Sequence, residues 1–252
     1  MKKFLSVIII LLCSVEFSIA AQTIPKNIIK NTVMISARKT GEVGKNYFYC
    51  KCDNKCSTEQ VVREYYKNNG YKVMRAEYNF WQGIFILIFL DELYPPEFYK
   101  SQGNHTIFTS EYFFKHRYDN LVLENKINKN TNIYKFINSQ LQKHENGLYI
   151  RELDEWKFEG YKNPSEYFKS DIVQEFLKRI DNKTFSLVIN RILQDKKNNM
   201  VGTPDYIIWN KKELIFVEVK RKNEKLSAEQ IQWGEFLIKN KIPYKIVRVV
   251  GE

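Results

Sequence analysis

Several things are scarce in this chain, and each scarcity closes a class. Four cysteines in 252 residues are too few for a fold built on disulfides. Ten glycines and six prolines exclude collagen-like and Gly/Pro-rich low-complexity proteins. Apolar runs are short: Phe4–Val15 and the interrupted run Phe80–Tyr94 both fall below the roughly 20 residues a helix needs to span a bilayer. Acidic residues are in deficit, 29 Asp+Glu against 40 Lys+Arg, which leaves a formal charge of +11. That balance favours a polyanionic partner, nucleic acid first and an acidic membrane or protein second. Against these shortages stand 44% hydrophobic and 15% aromatic residues, which exclude a disordered or fibrous chain and supply a core. The length suits one sizeable domain, with two small ones still open.

The N-terminus reads as a targeting segment. Lys2 and Lys3 precede the apolar run, and Ser18-Ile19-Ala20 puts small residues at the −3 and −1 positions of a cleavage site. That is the layout of a secretory signal peptide over residues 1–20. The alternatives are an uncleaved membrane anchor and a buried N-terminal element. Cleavage would remove Lys2, Lys3 and Glu16 and leave a strongly basic chain. Three cysteines then remain, Cys50, Cys52 and Cys56. In an exported protein they read as one disulfide plus a free thiol. A zinc site is the alternative and needs a further ligand such as His105, His116 or His144.

Residues 21–56 carry short β-like stretches without a clear pattern. Ser57-x-x-Gln60 reads as a capping box opening a helix that Gly70 stops. Phe80–Tyr94 fits a buried helix or a buried strand equally, and Pro95-Pro96 ends it. Residues 97–160 read as mostly helical, with Ile133, Phe136, Ile137 and Leu141 at helical spacing. Pro164 opens a further helical pattern running to Ile180, and another helix is expected over Phe185–Leu193.

The last fifty residues hold the chemistry. D-Y-I-I-W (205–209) and L-I-F-V-E-V-K (214–220) read as strands joined by the four-residue loop Asn210–Glu213. Pairing Trp209 with Leu214 sets Asp205 opposite Glu218. Alternation puts Glu218 and Lys220 on one face and Val217 and Val219 on the other. Asp205, Glu218 and Lys220 therefore converge. Two carboxylates with Cβ atoms about 5 Å apart repel in a partly buried site, and a divalent cation relieves that repulsion. Mg²⁺ takes a few carboxylate oxygens and keeps open positions for water and phosphate. A neighbouring Lys can orient a water or offset charge on a phosphate. The plain alternative is a solvated hairpin face with an ordinary Glu–Lys pair.

The pattern P-D-x12-E-V-K resembles the PD-(D/E)XK nuclease signature. G-T-P-D-Y-I-I-W-N followed by L-I-F-V-E-V-K-x5-L-S-x-x-Q-x-x-W is similar to its VRR-NUC branch, and within that branch to the C-terminal nuclease domain of the Fanconi-associated nucleases. Upstream, G-Y-x5-E-Y-N-F and the run ending L-D-E-L-Y resemble the segment with the family's first acid. The likeness runs from about Ser57 to Val249 and is strongest over 202–233. It implies an α/β, restriction-endonuclease-like core: a mixed β-sheet flanked by helices, with helical insertions. Together with the signal peptide read from residues 1–20, which the resemblance does not imply, the expected organisation is an N-terminal extension (21–56) and a VRR-NUC domain (57–252). The implied activity is Mg²⁺- or Mn²⁺-dependent hydrolysis of phosphodiester bonds in DNA, with no small-molecule cofactor. Glu77, Asp205 and Glu218 would hold metal together with the carbonyl of Val219. Lys220 would position the attacking water, and Gln230 matches the family's glutamine on the following helix. Glu224 falls where relatives often carry an acid.

Each assignment has a plain counterpart. Glu77 alone is an ordinary surface acid, and Gln230 is also the third residue of a helix capped by Ser227. Trp233 and Leu237 read as core. Arg221, Lys222 and Lys225, and further upstream Lys196 and Lys197, reach DNA phosphates or simply face solvent. Two other functions stay open: a non-catalytic nucleic-acid-binding protein on the same fold, and an exported basic interaction protein.

Overall fold

A computed structural model describes residues 24–40, 48–50, 54–93, 121–146, 153 and 160–251. Along the chain run α1 (Lys26–Lys30), β1 (Thr32–Ala37), β2 (Phe48–Tyr49), β3 (Lys55–Cys56), α2 (Thr58–Asn68), β4 (Lys72–Arg75), α3 (Tyr78–Ile88) and α4 (Leu90–Leu93). They are followed by α5 (Ile133–Glu145), α6 (Pro164–Lys169), α7 (Asp171–Arg179), α8 (Asn182–Gln194), α9 (Lys196–Asn199), β5 (Tyr206–Trp209), β6 (Leu214–Arg221), α10 (Ala228–Lys239) and β7 (Tyr244–Gly251). Residues 1–20, Cys52 and Pro95-Pro96, on which expectations were placed, lie outside the described residues. No helix among the described residues is long and apolar enough to cross a membrane.

Five strands form one sheet in the order β1-β7-β6-β5-β4. β1 and β6 run parallel to β7, whereas β5 pairs antiparallel with β6 and with β4, so the sheet is mixed. The central strand β6 is buried from Ile215 to Lys220. Alternation divides its side chains. Ile215, Val217 and Val219 enter a smaller core with Phe48, Val61, Val62 and Tyr66, on the side of α2. Phe216 faces a larger core with Trp81, Ile207, Trp209 and Trp233. Asp205, Glu218 and Lys220 continue this second face. Helices cover both sides, as a sheet buried on both faces requires.

Three expectations are resolved by packing. The ambiguous apolar run is helix, α3 and then α4, with every residue from Phe80 to Leu90 buried. Gly83 makes this possible, because a Cβ there would stand 2.4 Å from the Phe168 ring of α6. The pattern opened by Pro164 is two helices, broken at Ser170, whose extended backbone (φ −63°, ψ 148°) caps α6 while its hydroxyl donates to the Tyr167 carbonyl at 2.6 Å. The stretch 21–56 was expected as an extension preceding the domain. Its β1 instead pairs with β7 over six residues, Thr32↔Ile246 to Ala37↔Gly251, and forms an edge of the main sheet. Beyond β1, β2 and β3 make a two-stranded hairpin closed by a Cys50–Cys56 disulfide.

Candidate active site

The site forms where the β5–β6 hairpin opens. Its register matches the sequence reading: Trp209 pairs with Leu214 and Tyr206 with Val217. The Asn210 side-chain oxygen accepts the Lys212 and Glu213 N–H groups at 2.8 and 3.1 Å and shapes the four-residue turn. One step past the last pair, Asp205 lies across from Glu218, and its Oδ2 accepts the Val219 N–H at 2.7 Å. A carboxylate thus takes over where the ladder runs out. In an extended strand the carbonyl of a residue faces the same edge as its N–H, so the Val219 carbonyl is turned toward Asp205 as well.

Gly202 sets the approach to Asp205. Its φ of +75° lies in the left-handed region that favours glycine. A Cβ would also meet the Gln230 nitrogen and the Glu229 carbonyl carbon at 2.8 Å each. The loop can therefore pass the start of α10 only because residue 202 has no side chain. Thr203 and Pro204 are buried behind it.

Glu218 is 1% exposed and ringed by partners. Its Oε1 receives the Lys220 ammonium at 2.8 Å and the Gln230 amide N–H at 2.6 Å. Burial first, then Asp205, pushes the Glu218 carboxyl up to about 8 against the pull of Lys220. Burial likewise raises Asp205 to about 6, opposed by the Val219 N–H and Lys220. For Lys220 burial pulls the pKa down, but Glu218 outweighs it and holds the ammonium above its usual range. Glu218 is therefore a buried acid, raised further by the neighbouring half-buried Asp205, with the Lys220 ammonium fixed beside it.

Gln230 caps its helix and also reaches Glu218. Its Oε1 accepts the Ser227 N–H at 3.0 Å while the Ser227 hydroxyl accepts the Gln230 N–H at 3.2 Å, a complete capping box on α10. Its amide nitrogen is left over and donates to Glu218. Trp233 and Leu237 lie in the larger core, and the Trp233 indole donates to the Asn199 carbonyl at 3.1 Å.

Glu77 is the N-cap of α3, but its side chain caps nothing and instead pairs with Arg75. It is near enough to raise Asp205, yet it is not drawn in against Asp205 and Glu218. Among the described residues no three His, Cys, Asp or Glu side chains gather into a metal-holding cluster. What converges is Asp205, Glu218, Lys220 and Gln230, with Glu77 alongside.

Two further residues shape this end of β6. Glu224 was foreseen without a firm role. One of its oxygens stands 3.5 Å from the Lys220 ammonium, and the other accepts from the Arg221 backbone and guanidinium at 3.2 and 3.0 Å. Burial alone would raise Glu224, but these Arg221 bonds dominate and lower it. Sequence reasoning missed Arg248 entirely. It neighbours Lys220 across β6 and β7, and its Nη1 donates to the carbonyls of Arg221, Lys222 and Glu224 at 3.0, 3.1 and 2.8 Å. The signal available was an arginine inside the otherwise apolar run Ile246–Val250. Arg221, Lys222 and Lys225 are exposed on the turn that Arg248 holds.

Residues 139–251 match the family model of the VRR-NUC domain. The chain is 26% identical over 210 residues to a Fanconi-associated nuclease 1 homolog of Schizosaccharomyces pombe, covering 79% of this chain and 28% of that protein. A Fanconi-associated nuclease 1 homolog of Arabidopsis thaliana is 25% identical over 227 residues, covering 82% of this chain and 24% of that protein. The chain thus spans about a quarter of the length of these curated relatives. In fold it is similar to paFAN1, solved bound to 2-nt 5′-flap DNA with a gap. The TM-score is 0.56 at 16% identity, and the match covers 88% of this chain and 38% of that one. A second structure, with 1-nt 5′-flap DNA, gives a TM-score of 0.54 at 16% identity over the same shares of the two chains.

Proposed function

From the match of residues 139–251 to the VRR-NUC domain and the geometry of the site, we propose a metal-dependent nuclease that hydrolyses phosphodiester bonds in DNA. One observation carries the reading: Asp205 and Glu218 are held together against their own repulsion, each raised by burial, with Lys220 and Gln230 bonded to Glu218. A merely solvated hairpin face would not bury Glu218 beside a second acid. The oxygens left over suit a hard divalent cation, Mg²⁺ or Mn²⁺. Asp205, Glu218 and the Val219 carbonyl would hold it, with Glu77 alongside. When bound, such an ion would supply Lewis-acid chemistry at the scissile phosphate.

The remaining chemistry belongs to the chain. Lys220 stays cationic beside Glu218, so it acts as a hydrogen-bond donor rather than a proton acceptor. It orients the attacking water and offsets charge on the phosphate. Gln230 fixes the rotamer of Glu218, and the Val219 N–H fixes that of Asp205. The water oxygen attacks phosphorus and gives up a proton to solvent, the bond to the leaving oxygen breaks, and that oxygen takes up a proton from solvent. Exposed Arg221, Lys222 and Lys225 supply phosphate contacts beside the site. The fold neighbours bound to flap DNA and the net charge of +11 support DNA as partner.

The test is cleavage of end-labelled single-stranded, duplex and 5′-flap DNA by the full chain with Mg²⁺ or Mn²⁺, with EDTA as control. Cleavage that is lost in EDTA and in Asp205→Ala and Lys220→Ala is the expected result. A folded parent that binds DNA without cutting it under any of these conditions refutes the enzyme and favours a binding protein on the same fold. We also propose export through residues 1–20. The Cys50–Cys56 disulfide, which suits an oxidising compartment, supports that reading. N-terminal sequencing of the exported protein tests it, with Ala21 as the expected first residue.

A further inference from the structure

Past the end of β6, toward the smaller core, opens a cavity of about 440 Å³. Phe48 and Val249 form its apolar wall, and Lys39, Arg221 and Lys222 bring positive charge to its rim. Arg221 is engaged by Glu224, which also lines the cavity and touches Lys220 with its other oxygen. No carboxylate among the described residues pairs with Lys39 or Lys222. Lys39 comes from the segment after β1, far from the catalytic hairpin in sequence, and its placement is built. Its aliphatic stem crosses Gly251 so closely that a Cβ there would lie 2.3 to 2.6 Å from three of its carbons. The bridge between Lys39 and Phe48 ties the same residue to the disulfide-closed hairpin.

Two lysines with no carboxylate partner among the described residues line one open cavity, and an anion entering it gains attraction from both. Glu224 forms the partition between this cavity and Lys220. A chain of phosphates passing the proposed cleavage site therefore has a second cationic station just beyond it. We propose that this cavity binds a backbone phosphate of the DNA strand adjoining the scissile bond, with Lys39 and Lys222 as its contacts. The proposal rests on the nuclease reading for the strand's path, and names Lys39 as a contact supplied by the N-terminal segment.

Binding is measured apart from cleavage. Fluorescein-labelled DNA is titrated with the full chain in EDTA, and anisotropy is followed between 50 and 200 mM salt. Lys39→Ala/Lys222→Ala is compared with the parent and with Lys211→Ala/Lys239→Ala, which removes two exposed lysines elsewhere. Losing two phosphate contacts should weaken binding about tenfold and lower the salt slope by about 1.5 to 2. Gly251→Ala should reproduce the Lys39 share, about threefold, by displacing the lysine stem while leaving every charge in place. Affinity and slope equal to the parent's in the Lys39/Lys222 variant, or a matching loss in the Lys211/Lys239 variant, overturns the proposal. A single methylphosphonate walked along the DNA should weaken the parent at one position and leave the double variant unaffected there. Inorganic phosphate at millimolar concentration should weaken DNA binding by the parent more than by the double variant, as competition for one cavity requires; phosphate that binds through Lys39 and Lys222 while DNA affinity is unchanged would make the cavity a free-phosphate site and overturn the strand contact. A parent that cleaves while the double variant binds as well as it does sinks the cavity alone. A parent that binds through Lys39 and Lys222 but never cleaves sinks the nuclease reading alone.

Discussion

The chain uses one local motif twice, with different results. Ser57-x-x-Gln60 opens α2 and Ser227-x-x-Gln230 opens α10, and both form complete capping boxes. The Ser57 N–H reaches Gln60 Oε1 at 2.8 Å and the Ser227 N–H reaches Gln230 Oε1 at 3.0 Å, so as helix starts they are equivalent. They part at the amide nitrogen. Gln60 is exposed, whereas Gln230 donates to a buried carboxylate at 2.6 Å. A capping box uses only the oxygen of its glutamine. The second half of the side chain is free for whatever the helix lands against, and α10 lands against Glu218. The same four residues are thus a helix start in one place and part of a site in the other.

Removing the carboxylates that give α10 its second duty should have the largest effect. Asp205→Ala or Glu218→Ala is expected to lower DNA cleavage by about a thousandfold or more, since on the proposed reading each would remove a ligand of the ion and several kcal/mol of electrostatic stabilisation. Single-turnover rates at saturating metal measure it. A fall of under tenfold for both would reduce the α10 box to the same status as that of α2.

A sharper comparison comes from one substitution made at both boxes. Glutamate also serves at the third position of a capping box, so Gln→Glu preserves each cap. At α2, Gln60→Glu should leave stability and cleavage within error. At α10, Gln230→Glu replaces a donor with a second carboxylate against Glu218. Cleavage should fall about 10- to 100-fold, as expected when a residue that orients a ligand is lost. Equal behaviour of the two variants in a parallel assay would end the distinction.

The pH response of the metal-free protein probes the same pocket. Burial raises Glu218 to about 8 from its ordinary 4.5, and Asp205 to about 6 from 3.8. Between the ordinary and the raised values the folded state binds more protons than the unfolded one. Stability therefore declines as pH rises from about 4.5 through 8. In EDTA the urea midpoint should drop between pH 5 and pH 8, and Glu218→Gln should flatten the slope. A midpoint rising over that window in the parent would mean the acids are not held as described.

Much of this was legible in the sequence because it is local or set by register. The pairing of Trp209 with Leu214 follows from a four-residue turn, and strand alternation then fixes which face Asp205, Glu218 and Lys220 share. Ser57, Gly70, Pro164 and Ser227 each mark a helix end through chemistry confined to a few residues. What could not be read depended on distant contacts. Arg248 grips the 221–224 turn only because β7 lies parallel beside β6. β1 joins the sheet through pairing across two hundred residues of chain, which no short pattern announces. Glu77 shows the opposite limit: its place near Asp205 follows from the resemblance, but its ion pair with Arg75 does not.

The smallest effect is expected where the motif does nothing beyond its local task. Gln60→Ala removes the side-chain acceptor for the Ser57 N–H, which is exposed and can turn to water. Half a capping box at an exposed helix start is worth about 0.5–1 kcal/mol. In a chain of this size that amounts to a fall in Tm of about 1–4 °C. Since α2 packs on the face of the sheet away from Lys220, cleavage per folded molecule should be unchanged. Gln230→Ala should cost α10 a similar few degrees, because the lost cap is the same, and differ only in turnover. Melting curves and initial rates collected on the two alanine variants separate these quantities. Equal shifts in Tm with unequal turnover are the expected pattern. A loss of turnover in Gln60→Ala would mean that α2 reaches the site through the smaller core, and that its capping box is no more idle than the other.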